Sequence, residues 1–480
     1  MNKIKTADAE EAILEKYHYK QELRRSLKLF SSFAVAFSFI SITTGIFTNY
    51  QDMLITGGPA GIWTWPIAVA GQILVACIFA ELAGIIPLSG YSYQWIKRLS
   101  SPFMGWLTGW ISFCFLVLVI PAVDAGLAPV LAMLLNIEIQ PANITMIVLV
   151  MLAIQAALNI AGVKLASIIN DSAVYTETVG IVGLTLIIGG MVFFRDTDYS
   201  VLWSTGNAVA EGQSYFLPFI MTILMGSFTL VGFEASANLS EETINAHDTV
   251  PKAIIFSVVI SGIFGFLFLI VITLAIPDLA SVLASENPLP YIINHSLGSF
   301  FGKLFLILVC ISIFACGLVI TTSASRLVYA MSRDNVFFFG KTFSKVSAQK
   351  RSPVRATILI WILCSISILF ADSLKTLVAA TAVLPALIYL ITIVGYLLVR
   401  KKVTLLRENS FSLGKFALPV FILSILWLIT EIAILTIPEG FHNATLISVG
   451  LITAGAGFYF ILFKKNMERH VSESEKISGL

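Results

Sequence analysis

The chain has 480 residues, 57% of them hydrophobic and only 12% charged, with a formal net charge of +2. A soluble domain carries about twice that share of charge, so composition excludes one. The small net charge sits in connecting segments and gives no sign of a nucleic-acid partner.

Residues 1–28 are polar and lack the apolar centre of a signal peptide, so they read as a cytoplasmic tail. Apolar runs of about 20 residues, the length that crosses a bilayer, then recur almost to the end. They predict an all-α membrane protein with twelve spans, over 29–49, 62–84, 102–134, 142–161, 167–194, 214–239, 252–276, 299–332, 353–371, 374–400, 415–437 and 443–464. Connections on one side carry Lys97, Arg98, Lys164, the group Arg333, Lys341, Lys345, Lys350, Arg351 and Arg355, then Arg400, Lys401, Lys402 and Arg407. Those on the other side carry Asp52, Glu138, Asp196, Asp198, Glu211, Asp278 and Glu286. The positive-inside rule then puts both termini in the cytoplasm, and the acidic stretch from Glu241 to Lys252 is compatible with it because acids contribute little. The first ten spans, within 29–400, form a transporter core. The last two, within 401–466, are peripheral, and 467–480 is a second cytoplasmic tail.

Two spans are interrupted in matching places. The first carries Ser41, Thr43, Thr44 and Gly45 in mid-run, followed by Ile46. The sixth carries Gly226, Ser227, Phe228, Thr229 and Gly232, followed by Glu234. A helix that unwinds at membrane depth frees backbone groups, and these must line a cavity to find partners. Spans 1–5 and 6–10 make two halves. An odd number of spans inverts the second half, so the breaks fall in equivalent positions. That pattern points to a secondary transporter with its substrate between the breaks, touching Ser41, Thr43, Thr44, Gly45, Ile46, Gly226, Ser227 and Phe228.

Four stretches occur in an order and spacing that resemble the amino acid–polyamine–organocation transporters, in the amino acid/choline permease branch. They are Ser41 to Phe47; Ala80 to Ala83 with Ile86 to Trp95; Gly232 to Ala237 with Ser240 to Thr243; and Ala324 to Asp334. The resemblance covers about residues 30–465. It implies the leucine-transporter-like fold, a 5+5 inverted repeat, and uptake or exchange of amino acids, amines or choline-like compounds. Many relatives have a Gly-Ser-Gly type stretch in the first span, whose amides bind a substrate carboxylate. Here the triplet is Thr43, Thr44 and Gly45, so the backbone approaches less closely, although amides at a helix N-terminus still suit a carboxylate. In the fifth span several relatives carry a lysine that stands in for sodium, and the matching position here is Glu177.

Glu177 lies about ten residues into its span, about 15 Å from the inner face at 1.5 Å per residue. A carboxylate at that depth is costly unless protonated, paired or wetted. It is the predicted proton-coupling group, with a structural hydrogen bond to a hydroxyl of the first or eighth span as the alternative. Glu234 reads as a gate or as the partner of a substrate amine, or as an acid that ties down freed amides. By resemblance to the arginine–agmatine antiporter, Phe228 occupies the place of a substrate-covering aromatic, where a ring can pair with a cation. Asp124, beyond Pro121 in the third span, would border the site from the outer side and favour a cationic amine. Thr321 and Thr322 keep sodium open, since in sodium-coupled relatives hydroxyls of the eighth span hold the ion. Glu81, Glu241 and Glu242 with Arg326 and Arg333 read as an inner gate. Glu431, outside the repeat, reads as structural.

Five cysteines lie inside apolar runs without a CxxC pair, and five histidines are scattered near helix ends or in tails. No metal or cofactor site is predicted, and no histidine lies at membrane depth to serve an enzyme. The sequence therefore reads as a plasma-membrane permease that moves a small amino acid or amine by alternating access, as a proton symporter. The alternatives are an obligate exchanger of the same fold and a nutrient receptor that does not transport.

Overall fold

The computed structural model describes residues 19–209, 212–285, 287–369, 374–403 and 411–469. The predicted tails over 1–18 and 470–480, and the loop charges Glu211, Glu286 and Arg407, lie outside the described residues. Among the described residues, ten helices are long and apolar enough to cross a membrane, and two shorter apolar helices bring the number to twelve. The protein is a multi-span, all-helical membrane protein. Among the described residues, the extended structure is an isolated bridge between Leu27 and Thr243.

In chain order the spans are α1 (Leu29–Ile40 and Ile42–Gly57), α2 (Thr64–Ile85), α3 (Pro102–Leu135), α4 (Pro141–Ala161) and α5 (Val163–Phe193). Then come α6 (Phe216–Met221, Ile223–Thr229 and Ala235–Asn238), α7 (Ala246–Leu274), α8 (Pro288–Arg333), α9 (Val354–Leu369) and α10 (Leu374–Val403). Finally α11 spans Ala417–Thr436 and α12 spans His442–Phe458. The side on which α1 begins is called the N-terminal side below.

Predicted boundaries hold to a few residues, with three departures; α1 runs on to Gly57 rather than ending at 49. α7 begins at Ala246 rather than 252, with Asp248 in its first turn, where a carboxylate suits the positive end of the helix dipole. α8 begins at Pro288 rather than 299, because a kink at Gly298 (φ 75°) joins a preceding piece to the predicted span. Glycine adopts that left-handed backbone without steric penalty.

The apolar faces of α1, α2, α3, α8 and α10 are mostly buried, whereas those of α4, α5, α11 and α12 lie mostly outward. Residues 19–28, predicted as part of a free tail, instead pack on the bundle. Tyr19, Leu23 and Leu27 are buried, and the Leu27 N–H donates to the Glu242 carbonyl at 3.0 Å while the Ile244 N–H donates to the Leu27 carbonyl at 2.8 Å. An apolar residue every fourth position gives this segment a face that water disfavours.

Candidate transport site

Both interruptions are real breaks in the helices. In α1 the break is Ser41, at φ 36° and ψ 91°, a positive φ that costs a residue with a side chain. Its side chain offsets that cost by capping the second half of α1. The Ser41 hydroxyl accepts from the Thr44 N–H at 3.3 Å and from the Thr44 hydroxyl at 2.7 Å, the usual service of a serine N-cap. In α6 the helix ends at Thr229, and residues 230–234 run non-helically into Ala235–Asn238. The two breaks abut. Gly232 has φ 81°, and a Cβ there would overlap the ring of Phe39. Gly45 faces Thr229 so closely that a Cβ would collide with its side chain.

Glu177 reaches the α1 break from α5. Its Oε1 accepts from the Thr43 hydroxyl at 2.6 Å, the Thr43 N–H at 3.2 Å and the Ser41 hydroxyl at 3.4 Å. Ser312 of α8 stands 3.1 Å from the Thr43 hydroxyl. The carboxyl is 3% exposed and sits at the N-terminal end of a helix, where backbone N–H groups and the dipole suit an anion. It thereby ties α5, α1 and α8 together at one point. Cys316, one turn along α8 from Ser312, donates to the Phe39 carbonyl at 3.5 Å, one of the acceptors that the break frees.

Glu234 is buried and accepts from the Tyr389 hydroxyl of α10 at 2.8 Å. The same hydroxyl accepts from the Gly232 N–H at 3.0 Å. Glu234 is thus joined to the freed backbone of α6 through Tyr389. Phe228, Gly226 and Ser227 are buried at the end of the preceding helical piece.

Two predicted positions differ from expectation. Asp124 is fully buried among α3, α4 and α8, with its Oδ1 accepting from Gln155 Nε2 at 2.8 Å. A Cβ on Gly317 would lie 3.0 Å from the same oxygen. The acid sits inside helix packing, not at a wet outer mouth, because Gln155 and the bare backbone of Gly317 fill the space around it. Thr322 donates to Asn159 of α4 and to the Leu318 carbonyl at 2.9 Å. Thr321 and Thr322 stand about two to three turns from Ser312, and it is Ser312 whose hydroxyl meets the α1 break.

The family described as Amino acid permease matches residues 27–463. The chain belongs to this family. It is 29% identical over 470 residues to Amino-acid permease BAT1 of Arabidopsis thaliana, covering 91% of this chain and 90% of that one. It is 30% identical to Amino-acid permease BAT1 homolog of Oryza sativa subsp. japonica, covering 94% of each. It is 28% identical to the GABA-specific permease of Saccharomyces cerevisiae, covering 77% of this chain and 68% of that one.

On its N-terminal side the permease closes over a charged cluster. Arg333 forks onto Glu241 at 3.2 and 3.1 Å. Arg326 donates to Glu242 at 2.8 Å with both side chains buried. The Ser89 N–H donates to Glu241 at 3.1 Å, which brings the connection after α2 into the cluster. Glu81 does not join it. Arg400 of α10 takes Glu81 with two bonds of 2.9 Å, and Tyr396 and the Leu413 N–H add 3.0 and 3.1 Å. The five residues predicted as a gate therefore divide into two Glu–Arg pairs between the turn after α6 and α8, and a Glu81 clamp joining α2, α10 and the segment before α11.

Sequence reasoning missed three members of this side. Lys97, in the short helix Tyr91–Leu99, pairs with Asp334, which also accepts from Tyr93 at 2.6 Å and Tyr19 at 3.0 Å. Burial pulls the Lys97 ammonium below its ordinary range, against the opposing pull of Asp334. The Arg333 guanidinium lies 3.8 Å from the centre of the Tyr19 ring, within cation–π reach. Asp334 ends a quoted motif, and its adjacency to Arg333 was the available signal. Nothing in the sequence pointed to Tyr19.

Proposed function

We propose that this permease accumulates a small amino acid or amine across the plasma membrane by proton-coupled alternating access, with its N-terminal side in the cytoplasm. Substrate binds between the two breaks, against Ser41, Thr43, Thr44, Gly45 and Ile46 of α1 and Gly226, Ser227 and Phe228 of α6. The GABA-specific relative makes an ω-amino acid a sensible member of a substrate panel, beside α-amino acids, polyamines and choline.

The observation that carries the reading is the Glu177 carboxyl on the N-terminal end of the second half of α1. Its partners are hydroxyls and one N–H, so it meets donors and not a cation there. A charge held dry without a cation is costly. The donors and the helix end favour the anion, and desolvation opposes it; drying the site on closure therefore shifts the carboxyl toward its protonated form, and wetting from the cytoplasm shifts it back and releases the proton. A group whose proton affinity differs between two states couples protonation to their equilibrium, and the coupling is reciprocal. The pairs Glu241–Arg333 and Glu242–Arg326 close the cytoplasmic mouth and must part for release on that side.

The test is uptake into proteoliposomes under an imposed pH gradient, with a substrate first identified by its rise in melting temperature across the panel. Glu177→Gln mimics the protonated form. It abolishes pH-driven accumulation and keeps part of the exchange of internal for external substrate. Undiminished accumulation by this variant removes Glu177 from the mechanism. Accumulation driven by a sodium gradient at symmetric pH refutes proton coupling.

A further inference from the structure

Helix α11 lies outside the ten-helix repeat, yet it carries a carboxyl into the bundle. Glu431 is 1% exposed, and its two oxygens stand 3.3 and 3.4 Å from Nε2 of Gln72 on α2. Ser227, at the α6 break, places its hydroxyl beside the same carboxyl. That hydroxyl and Gln72 Oε1 are both buried and close no hydrogen bond of ordinary length among the described residues. Five polar atoms from three helices thus converge, and among the described residues no cation is among the groups that face the carboxyl.

The cluster ends a longer seam. Thr64, Ala68 and Gln72 are spaced by four on α2, so they share one face. The outer part of α6 runs along that face. The Thr222 hydroxyl, which donates to the Phe219 carbonyl at 2.6 Å, stands 3.1 Å from the Thr64 hydroxyl and 3.2 Å from the Gly61 carbonyl. Next, a Cβ on Gly226 would fall 2.6 Å from the Ala68 methyl, so the Gly226 backbone packs directly on that methyl. At the third station, two residues before the helical piece of α6 ends, α2 offers Gln72 and α6 offers Ser227. Here Glu431 of α11 stands against both. The first two stations meet directly, and at the third a side chain from outside the repeat stands between the two helices.

We propose that Glu431 is a positioning residue, which holds the broken end of α6 to α2 and so sets the geometry of the break where substrate binds. This rests on the placement of the site in the proposed function. α11 thereby has a part in transport: it clamps one of the two discontinuous helices and leaves the α1 break to Glu177. A carboxamide in place of Glu431 still accepts from Gln72 and can donate to Ser227, so Glu431→Gln preserves the seam. Leucine does neither.

The test is amide hydrogen exchange of the purified full-length protein without substrate, read over residues 223–234. Glu431→Leu and the double variant Gln72→Leu with Glu431→Leu should each exchange about tenfold faster there, a factor that equals about 1.4 kcal/mol. Glu431→Gln should keep wild-type protection. Residues 42–57 of α1 should be unchanged in all three. Glu431→Leu strands a buried Gln72 donor and loses stability for that reason alone, whereas removing both partners is nearly neutral. The double variant therefore separates the roles: it should melt near wild type and still exchange fast at the break. Wild-type protection in the double variant overturns the proposal, and so does a Glu431→Gln protein that exchanges like Glu431→Leu. Since no substrate is used, such a failure concerns α11 alone. Phe228→Ala with wild-type substrate affinity would instead overturn the placement of the site.

Discussion

Tyr389→Phe removes one oxygen and two hydrogen bonds at the α6 break. The hydroxyl donates to Glu234 at 2.8 Å and accepts from the Gly232 N–H at 3.0 Å. Both partners are buried, and Gly232 sits in the non-helical stretch where neighbouring turns give its N–H no partner. Interhelical hydrogen bonds in membranes average about 0.6 kcal/mol by double-mutant cycles. A buried donor left without a partner costs about 1–3 kcal/mol, and a bond to a charged acceptor is worth about 1.5–3. Taking the low end for each of the two groups, the loss is about 2.5 kcal/mol, well above the membrane average. Glu234→Gln keeps an acceptor for the same hydroxyl and should lose less than about 1 kcal/mol. The assay is reversible denaturation in detergent of the wild type, both single variants and the double variant. The two losses should not add, since they share one hydroxyl. Tyr389→Phe at wild-type stability would refute the bridging role, and so would strict additivity.

Gly232→Ala places a Cβ into the Phe39 ring at a positive φ; the backbone term alone is about 1–2 kcal/mol, and Phe39→Ala in the same protein should recover the steric part and leave that term, as read by melting temperature. Arg326→Ala leaves Glu242 buried without its cation and should cost about 3–5 kcal/mol; Arg326→Lys should restore little, because the fork also serves Ser325 at 3.0 Å, and full recovery with lysine would show that only charge matters. Asp124→Asn keeps a carbonyl oxygen for Gln155, so uptake of cationic and zwitterionic amino acids should fall together in competition assays; selective loss of the cationic class would place Asp124 on the pathway after all.

Depth in the membrane was legible in the sequence, and azimuth was not. Apolar runs place the spans because the bilayer sets their length, and Gly and hydroxyl residues in mid-run mark the breaks because freed backbone groups need partners. Glu177 stands out by depth, since few side chains are so costly there. Which neighbour an acid meets depends on helix rotation and on the choice of partner helix, and these are set by packing across the whole bundle. Glu81 was grouped with Arg326 and Arg333 because all three lie at span ends on one side, yet Arg400, 319 residues away, takes it. A finer signal went unread. Gln155 and Asn159 are polar, four apart and so on one face of a largely apolar α4, and they meet Asp124 and Thr322. Gln72 is likewise a lone amide in an apolar run, and it meets Glu431. An amide is costly in hydrocarbon unless it finds a partner, so each such residue announces an acid or hydroxyl on some other span. In the structure the pairs are Gln155 with Asp124 and Gln72 with Glu431. The same rule puts α11 against the bundle through Glu431, where counting repeats alone would leave it at the edge.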